Sequence, residues 1–510
     1  MITRRSFLFT ASAALVKGAE TSSIIAETAY GKIRGTEVNG IRIFKGVPYG
    51  ASTTEKNRFM PPVNPASWTG VRDALQYGSS APQTAAMKGE SEDCLVLNVW
   101  TPALKDGRKR PVMFWCHGGG FASGSGSTPG TDGTNLAHRG DVVVVSINHR
   151  LNVLGFTYAS DLSSVSGEAG MLDIVQALKW VRDNIEQFGG DPNNVTIFGQ
   201  SGGGRKVGTL LSMPPAKGLF HRAIIESGPT IKLVERSSAS RNVDRLMAKL
   251  GIGKNEQGEL QKVPVERIMA AYFDVLKDMG SADQMTEGFS PMVDGSAIPM
   301  HPFFPAASSV SADIPLMIGS TRTEMTLQSP ADAFSLNEDT MRDRVKTLIG
   351  NKTDNTIEAY RKANPGSTPS DIYFLIASDY RYGAPVMKIA ERRAALNKGP
   401  VYLYYFRWET PVQGGRLKSP HTIEIPFAFD NVKISAAMTG GGAEAMALAD
   451  RVSDTWLAFA RTGDPNNSKI PHWPKFEPKD WPTMVFNNTI KAENDPIHAQ
   501  RMAMFDATAS

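Results

Sequence analysis

The sequence predicts an α/β protein with a mostly parallel central sheet, helices on both faces and helical insertions between strands. Continuous apolar runs lie at Val112 to Cys116, Val142 to Ile147, Val195 to Phe198, Ala223 to Ile225, Pro315 to Ile318 and Val401 to Phe406. Runs of that length, bounded by turn residues, read as strands buried on both faces. Between them Leu172, Val175, Leu178, Val181, Ile185 and Phe188 recur every three or four residues, predicting a helix from Met171 to Phe188. Strands alternating with helices imply parallel pairing through right-handed crossovers. The 510 residues, 41% hydrophobic and 21% charged, can bury a sizeable core, which excludes disordered and fibrous classes.

From the N-terminus, Thr3-Arg4-Arg5-Ser6-Phe7-Leu8 and the apolar stretch to Val16 form a twin-arginine export signal over residues 1–19. Its apolar part is far short of the ~20 residues that span a bilayer. The expectation is an exported protein, periplasmic or secreted, without a membrane span. Removing Arg4, Arg5 and Lys17 takes the formal charge from +4 to +1. No basic stripe with interleaved aromatics remains, so nucleic acid is not an expected partner. Short alternating segments, Thr28 to Arg34 and Ile41 to Phe44, predict a small antiparallel sheet. Residues 234–289 and 339–397 are helical in pattern and sit where caps would be inserted between strands. A last helix, Ala443 to Thr462, stops at Gly463-Asp464-Pro465. With no repeat or linker, residues 20–510 are expected to form one domain. Cys94 and Cys116 are expected as buried free thiols. No histidine or cysteine pair has metal-ligand spacing, so neither metal nor organic cofactor is expected.

Chemistry concentrates first at Phe198-Gly199-Gln200-Ser201-Gly202-Gly203, between a strand and a helix. That context makes it a nucleophile elbow, whose turn admits only glycine at its flanks and lifts Ser201 Oγ out of the sheet. Gly202-Gly203-Gly204-Arg205-Lys206 is not a phosphate loop, because the lysine is one place late and Val207 stands where a magnesium-binding hydroxyl is required. His117-Gly118-Gly119-Gly120-Phe121 follows another strand, and the N–H groups of Gly119 and Gly120 join that of Gly202 as the expected oxyanion hole. A serine needs a base, and here the chain order runs serine, acid, histidine. Among His221, His301, His421, His472 and His498, His421 follows a strand through a glycine- and proline-rich loop and is the expected base. For the acid, Glu324 after Gly319 and Asp294 in Val293-Asp294-Gly295 both remain open on pattern alone.

The chain resembles the type-B carboxylesterase and lipase family, which includes cholinesterases and bacterial para-nitrobenzyl esterases. The resemblance rests on Phe44-Lys45-Gly46-Val47-Pro48-Tyr49, Arg58-Phe59, Glu92-Asp93-Cys94-Leu95, His117 to Phe121, Asn148-His149-Arg150-Leu151, Phe188 to Pro192, the elbow, Gly319 to Glu324, His421 and Thr462 to Asn466. It implies an α/β-hydrolase fold, a Ser201–Glu324–His421 triad and hydrolysis of small-molecule esters through an acyl-enzyme. It makes Asp294 a turn residue, gives Ser227 a supporting role beside the acid, and makes Arg58 and Glu92 a structural ion pair. Amides, carbamates or lactones are alternative substrates for the same triad; a silent, cholinesterase-like binding protein is the alternative from another class.

Four departures from the family pattern stand out. Gln200 replaces a glutamate beside the nucleophile, Gly202 replaces alanine, Arg205-Lys206 replaces small residues, and Ala81 replaces the usual cysteine partner of Cys94. Because an unpaired buried charge is costly, the two cations are expected to be paired structurally rather than to line the pocket.

Overall fold

The computed structural model describes residues 24–509. The export-signal expectation at residues 1–19 therefore lies outside the described residues. The strands are β1 Ile24–Thr28, β2 Gly31–Val38, β3 Ile41–Pro48, β4 Val71–Asp73, β5 Val96–Thr101, β6 Arg110–Cys116, β7 Val143–Ile147, β8 Gly190–Gln200, β9 Arg222–Glu226, β10 Leu316–Thr321, β11 Val401–Phe406, β12 Pro482–Phe486 and β13 Lys491–Asn494. They form one sheet in the order β1-β2-β3-β5-β7-β6-β8-β9-β10-β11-β12-β13, with β4 beside β2. From β7 to β12 every pairing is parallel.

The six apolar runs are thus six adjacent parallel strands. Alternate side chains explain why they read as unbroken. On β6, Phe114 and Cys116 face one core with Val145, Ile197 and Ile225, whereas Met113 and Trp115 face another with Val144, Phe198 and Ile224. The helix Ala169–Asn184 covers the first face and the helix Ala443–Thr462 the second. Both faces are consequently dry, the usual condition of a parallel sheet.

Two expectations about strands need correction. Thr28 to Arg34 is not one strand but spans the hairpin between β1 and β2, where the Thr28 hydroxyl donates to the Gly31 carbonyl at 2.8 Å. The N-terminal antiparallel strands also do not form a separate small sheet, because β3 pairs with β5 and continues into the central one. Helices occupy both segments between late strands, including Arg236–Leu250 and Val265–Glu287 after β9, and Glu338–Ile349, Thr353–Ala363, Pro369–Ser378 and Ala384–Ala394 after β10. Cys94 and Cys116 are buried and free, and Ala81 is buried. Among the described residues no helix is long and apolar enough to cross a membrane.

Candidate active site

Ser201 ends β8 and opens the helix Gly202–Leu210 with φ 56° and ψ −121°. That left-handed backbone in a non-glycine residue costs about 1–3 kcal/mol and is held by its surroundings. Its N–H donates to the Glu226 carbonyl at 2.8 Å, and its own carbonyl accepts from Arg205 N–H at 3.0 Å. The flanking glycines have a steric cause. A Cβ on Gly203 would lie 2.0 Å from the Cys116 carbonyl oxygen, and one on Gly202 would lie 2.3 Å from the Gly120 nitrogen. Elbow and glycine loop are therefore in backbone contact. The Ser201 side chain is partly exposed, and its hydroxyl makes no protein hydrogen bond among the described residues.

The loop after β6 turns through Gly119 (φ 85°) and Gly120 (φ 64°). Gly118 sits against Ser201, since a Cβ there would be 3.7 Å from the serine Cβ. What holds the loop is Lys206, fully buried one turn and a residue beyond Ser201. Its Nζ donates to the carbonyls of His117 and Gly120, both at 2.9 Å. One amine thus grips the chain on either side of the Gly119 and Gly120 amides. Burial, followed by the Arg205 charge, opposes its protonation and takes its pKa down to about 7, although Cys116 acts the other way. His117 donates from Nδ1 to the Gly118 carbonyl at 2.9 Å, and burial, then Lys206, lowers it to about 3, so it stays neutral.

The expected pairing of the two cations is corrected here. Among the described residues neither Arg205 nor Lys206 meets a carboxylate. Lys206 is satisfied by carbonyl dipoles instead, and Arg205 lies over the Phe121 ring at 5.0 Å.

Glu324 and His421 meet at the carboxyl ends of β10 and β11, where such a sheet presents its functional groups. His421 Nδ1 is 2.5 Å from Glu324 Oε2, and Glu324 Oε1 accepts the Thr321 N–H at 2.8 Å. Both are buried. Burial works against protonation of His421, but the Glu324 carboxylate outweighs it and raises the imidazole pKa. The Gln200 amide nitrogen lies 3.3 and 3.4 Å from the two ring nitrogens, and the Tyr382 ring packs on the imidazole at 4.8 Å between centroids. Asp294 is a turn residue, its carboxylate accepting the N–H groups of Ser296, Ala297 and Ile298. The other histidines examined from sequence sit elsewhere. His221 accepts from Val195 N–H, and His301 and His498 pair with Glu235 and Asp495.

Ser227, to which the resemblance gave a supporting role beside the acid, acts on a second carboxyl. Its hydroxyl donates to Glu424 Oε1 at 2.9 Å. Glu424 and Glu226 are two buried acids that the sequence reading passed over. Burial, then Glu324, raises the pKa of Glu424; burial, then Glu424, pushes Glu226 up to about 8, against a Trp456 Nε1–H bond at 2.7 Å. The signal for Glu424 was its place three residues after His421. Tyr382 lay in a helical segment and carried no local signal.

The carboxylesterase family model matches residues 22–505. The chain belongs to this family. As a carboxylesterase-family member it is 35% identical over 492 residues to a para-nitrobenzyl esterase of Bacillus subtilis (strain 168), with 94% of this chain and 98% of the relative covered. It is also 35% identical over 482 residues to a phenmedipham hydrolase of Pseudarthrobacter oxydans, covering 90% and 94%. A solved carboxylesterase of Geobacillus stearothermophilus superposes with TM-score 0.83 at 37% identity, covering 94% of this chain and 99% of that one. The fold is the α/β-hydrolase fold, and the protein is an enzyme of the carboxylesterase class.

Proposed function

We propose that the protein hydrolyses carboxylic esters of small molecules by two-step acyl transfer on Ser201. The observation that carries this is the buried 2.5 Å contact between Glu324 and His421, set against the elbow through Gln200. In the first step His421 Nε2 takes the Ser201 proton as Oγ attacks the ester carbonyl. Glu324 holds the Nδ1–H tautomer and stabilises the imidazolium. The N–H groups of Gly119, Gly120 and Gly202 receive the oxyanion. Breakdown returns the proton to the leaving alkoxide, releasing alcohol and leaving an acyl-enzyme. Water, deprotonated by the same histidine, then releases the acid. The Ser201–His421 bond forms as substrate closes the site, since such bonds are often long in free enzymes. The helical segments 234–289 and 339–397 serve as caps shaping the pocket, and the twin-arginine segment directs export to the periplasm or beyond.

The test is turnover of a chain-length series of p-nitrophenyl esters by wild type and Ser201→Ala, with mass analysis after organophosphate treatment. Activity lost in the variant, with a single adduct on Ser201, is the expected result. A folded wild type that is inactive and unlabelled would make a silent binding protein the better reading. Rates on matched ester, amide and carbamate substrates separate the alternatives that share the triad.

A further inference from the structure

Arg205 lies one helical turn beyond Ser201, its N–H donating to the serine carbonyl at 3.0 Å. The direction of its side chain is given by what it touches. The guanidinium carbon stands 5.0 Å from the centre of Phe121, the residue that follows the glycine loop. Tyr382 is within its electrostatic reach, and the Tyr382 ring packs on His421. The Arg205 guanidinium therefore packs on one wall of the catalytic centre and lies within electrostatic range of the other.

The protein gives this group no acceptor. Among the described residues it forms no ion pair, and no carbonyl, hydroxyl or carboxylate accepts a hydrogen bond from it. The Tyr382 hydroxyl is engaged with Gln328 at 2.8 Å, and the Glu324 carboxylate with His421 and Thr321. The side chain is partly buried, yet its nitrogens keep contact with solvent. Contact with the Phe121 face gives the charge some compensation but satisfies none of five N–H donors. Lys206, on the same turn, is buried and committed to two carbonyls, and Gln200 is a neutral amide against the histidine. A planar fork of donors without an acceptor, on a cation that keeps its charge, is matched by a carboxylate.

We propose that Arg205 is a specificity-determining residue that binds a carboxylate carried by the ester substrate. The inference rests on the esterase reading above and narrows it: the preferred substrates are esters bearing a free carboxylate on the acyl or the alcohol side.

Two matched pairs test it after subtraction of background hydrolysis. Mono-p-nitrophenyl glutarate against p-nitrophenyl pentanoate probes the acyl side; 4-carboxyphenyl butyrate against phenyl butyrate probes the alcohol side. The quantity read is the charged-to-neutral ratio of kcat/KM for wild type, Arg205→Met and Arg205→Lys. In at least one pair, Arg205→Met should lower that ratio on the order of 10–100-fold, as expected for loss of charged hydrogen bonds. The change should appear mainly in KM, and Arg205→Lys should recover part of it. A ratio unchanged in both pairs overturns the inference while leaving the esterase reading intact. Equal loss on both members of each pair also overturns it, assigning Arg205 to the architecture of the elbow. A wild type without turnover or Ser201 labelling on the neutral esters overturns both.

Discussion

The His421 imidazole is pulled in two directions. Burial favours its neutral form, whereas the Glu324 carboxylate at 2.5 Å favours the cation, and the balance lies above its ordinary 6.5. In the proposed mechanism only the neutral ring accepts the serine proton, so the acidic limb of kcat/KM should have its midpoint above 6.5. Glu324→Gln should move that midpoint down. It should also cut kcat by roughly 10³–10⁴-fold, because the wrong tautomer is no longer excluded. A pH-rate profile of both proteins reads the two effects, and an unmoved limb would separate Glu324 from the base. Lys206 acts at one remove from the chemistry. Lys206→Met would leave the His117 and Gly120 carbonyls without their buried donor and free the Gly119–Gly120 arch. The expected loss is ~10–100-fold in kcat with KM nearly unchanged, part of the ~10²–10³ lost when an oxyanion donor is removed outright. Weakened binding of a boronic-acid transition-state analogue should accompany it; intact kcat would sink the positioning role.

At the scale of elements, the six apolar runs were readable because strands buried on both faces leave an uninterrupted apolar signature. Their ends were less so. The β10 strand runs on through Gly319, Ser320 and Thr321, because Gly319 gives way to the Tyr404 ring: a Cβ there would meet it at 2.3 Å. A glycine that looked like a stop is a packing requirement. The hairpin inside Thr28 to Arg34 was hidden for the opposite reason, since Ala29-Tyr30 carries no turn chemistry of its own. The elbow, the glycine loop and His421 stood out from motif and order, Glu324 only through the family resemblance, and the pairing of Ser227 with its partner had no signal at all. Glu424 is 197 residues away, and only the tertiary fold brings them together. Arg58 and Glu92 illustrate an ion pair read correctly as architecture. Arg58 binds Glu92 at 2.6 and 2.7 Å and also donates to the Gln261 and Val263 carbonyls, tying the N-terminal region to the segment before the helix Val265–Glu287. Both side chains are buried, so Arg58→Met should destabilise by about 3–5 kcal/mol by stranding Glu92. Chemical denaturation measures this, and Arg58→Met with Glu92→Gln should recover part of the loss.

Across the whole molecule, the buried acids act together on stability. Burial, ahead of every other influence, raises Glu226 to about 8 and Asp379 to about 7, and raises Glu168 well above 4.5. These carboxyls hold protons in the folded state that the unfolded chain has released. Where the folded state binds more protons, stability falls as pH rises. Their contribution is complete below the unfolded values, 4.5 for the glutamates and 3.8 for Asp379, and is lost as pH climbs through the folded values, about 7 for Asp379 and about 8 for Glu226. Lys206 has the opposite slope. Its pKa is lowered from 10.5 to about 7, so its contribution grows with pH between those values. Exposed acids such as Asp106, held down to about 2 first by its Arg110 bond, matter only in stronger acid. Between pH 5 and 7 the buried carboxyls act without opposition from Lys206 but against His117, His149 and His221, whose pKa values burial lowers, so the carboxyl share of the Tm slope is read by substitution. Glu226→Gln should raise that slope, because the amide keeps an acceptor for Trp456 Nε1–H without a proton to lose. Calorimetry of both proteins in buffers of low ionisation enthalpy reads the difference. A Tm slope identical in wild type and Glu226→Gln over that interval would mean that Glu226 enters the folded core already ionised, with a counter-charge that its Trp456 bond alone does not supply.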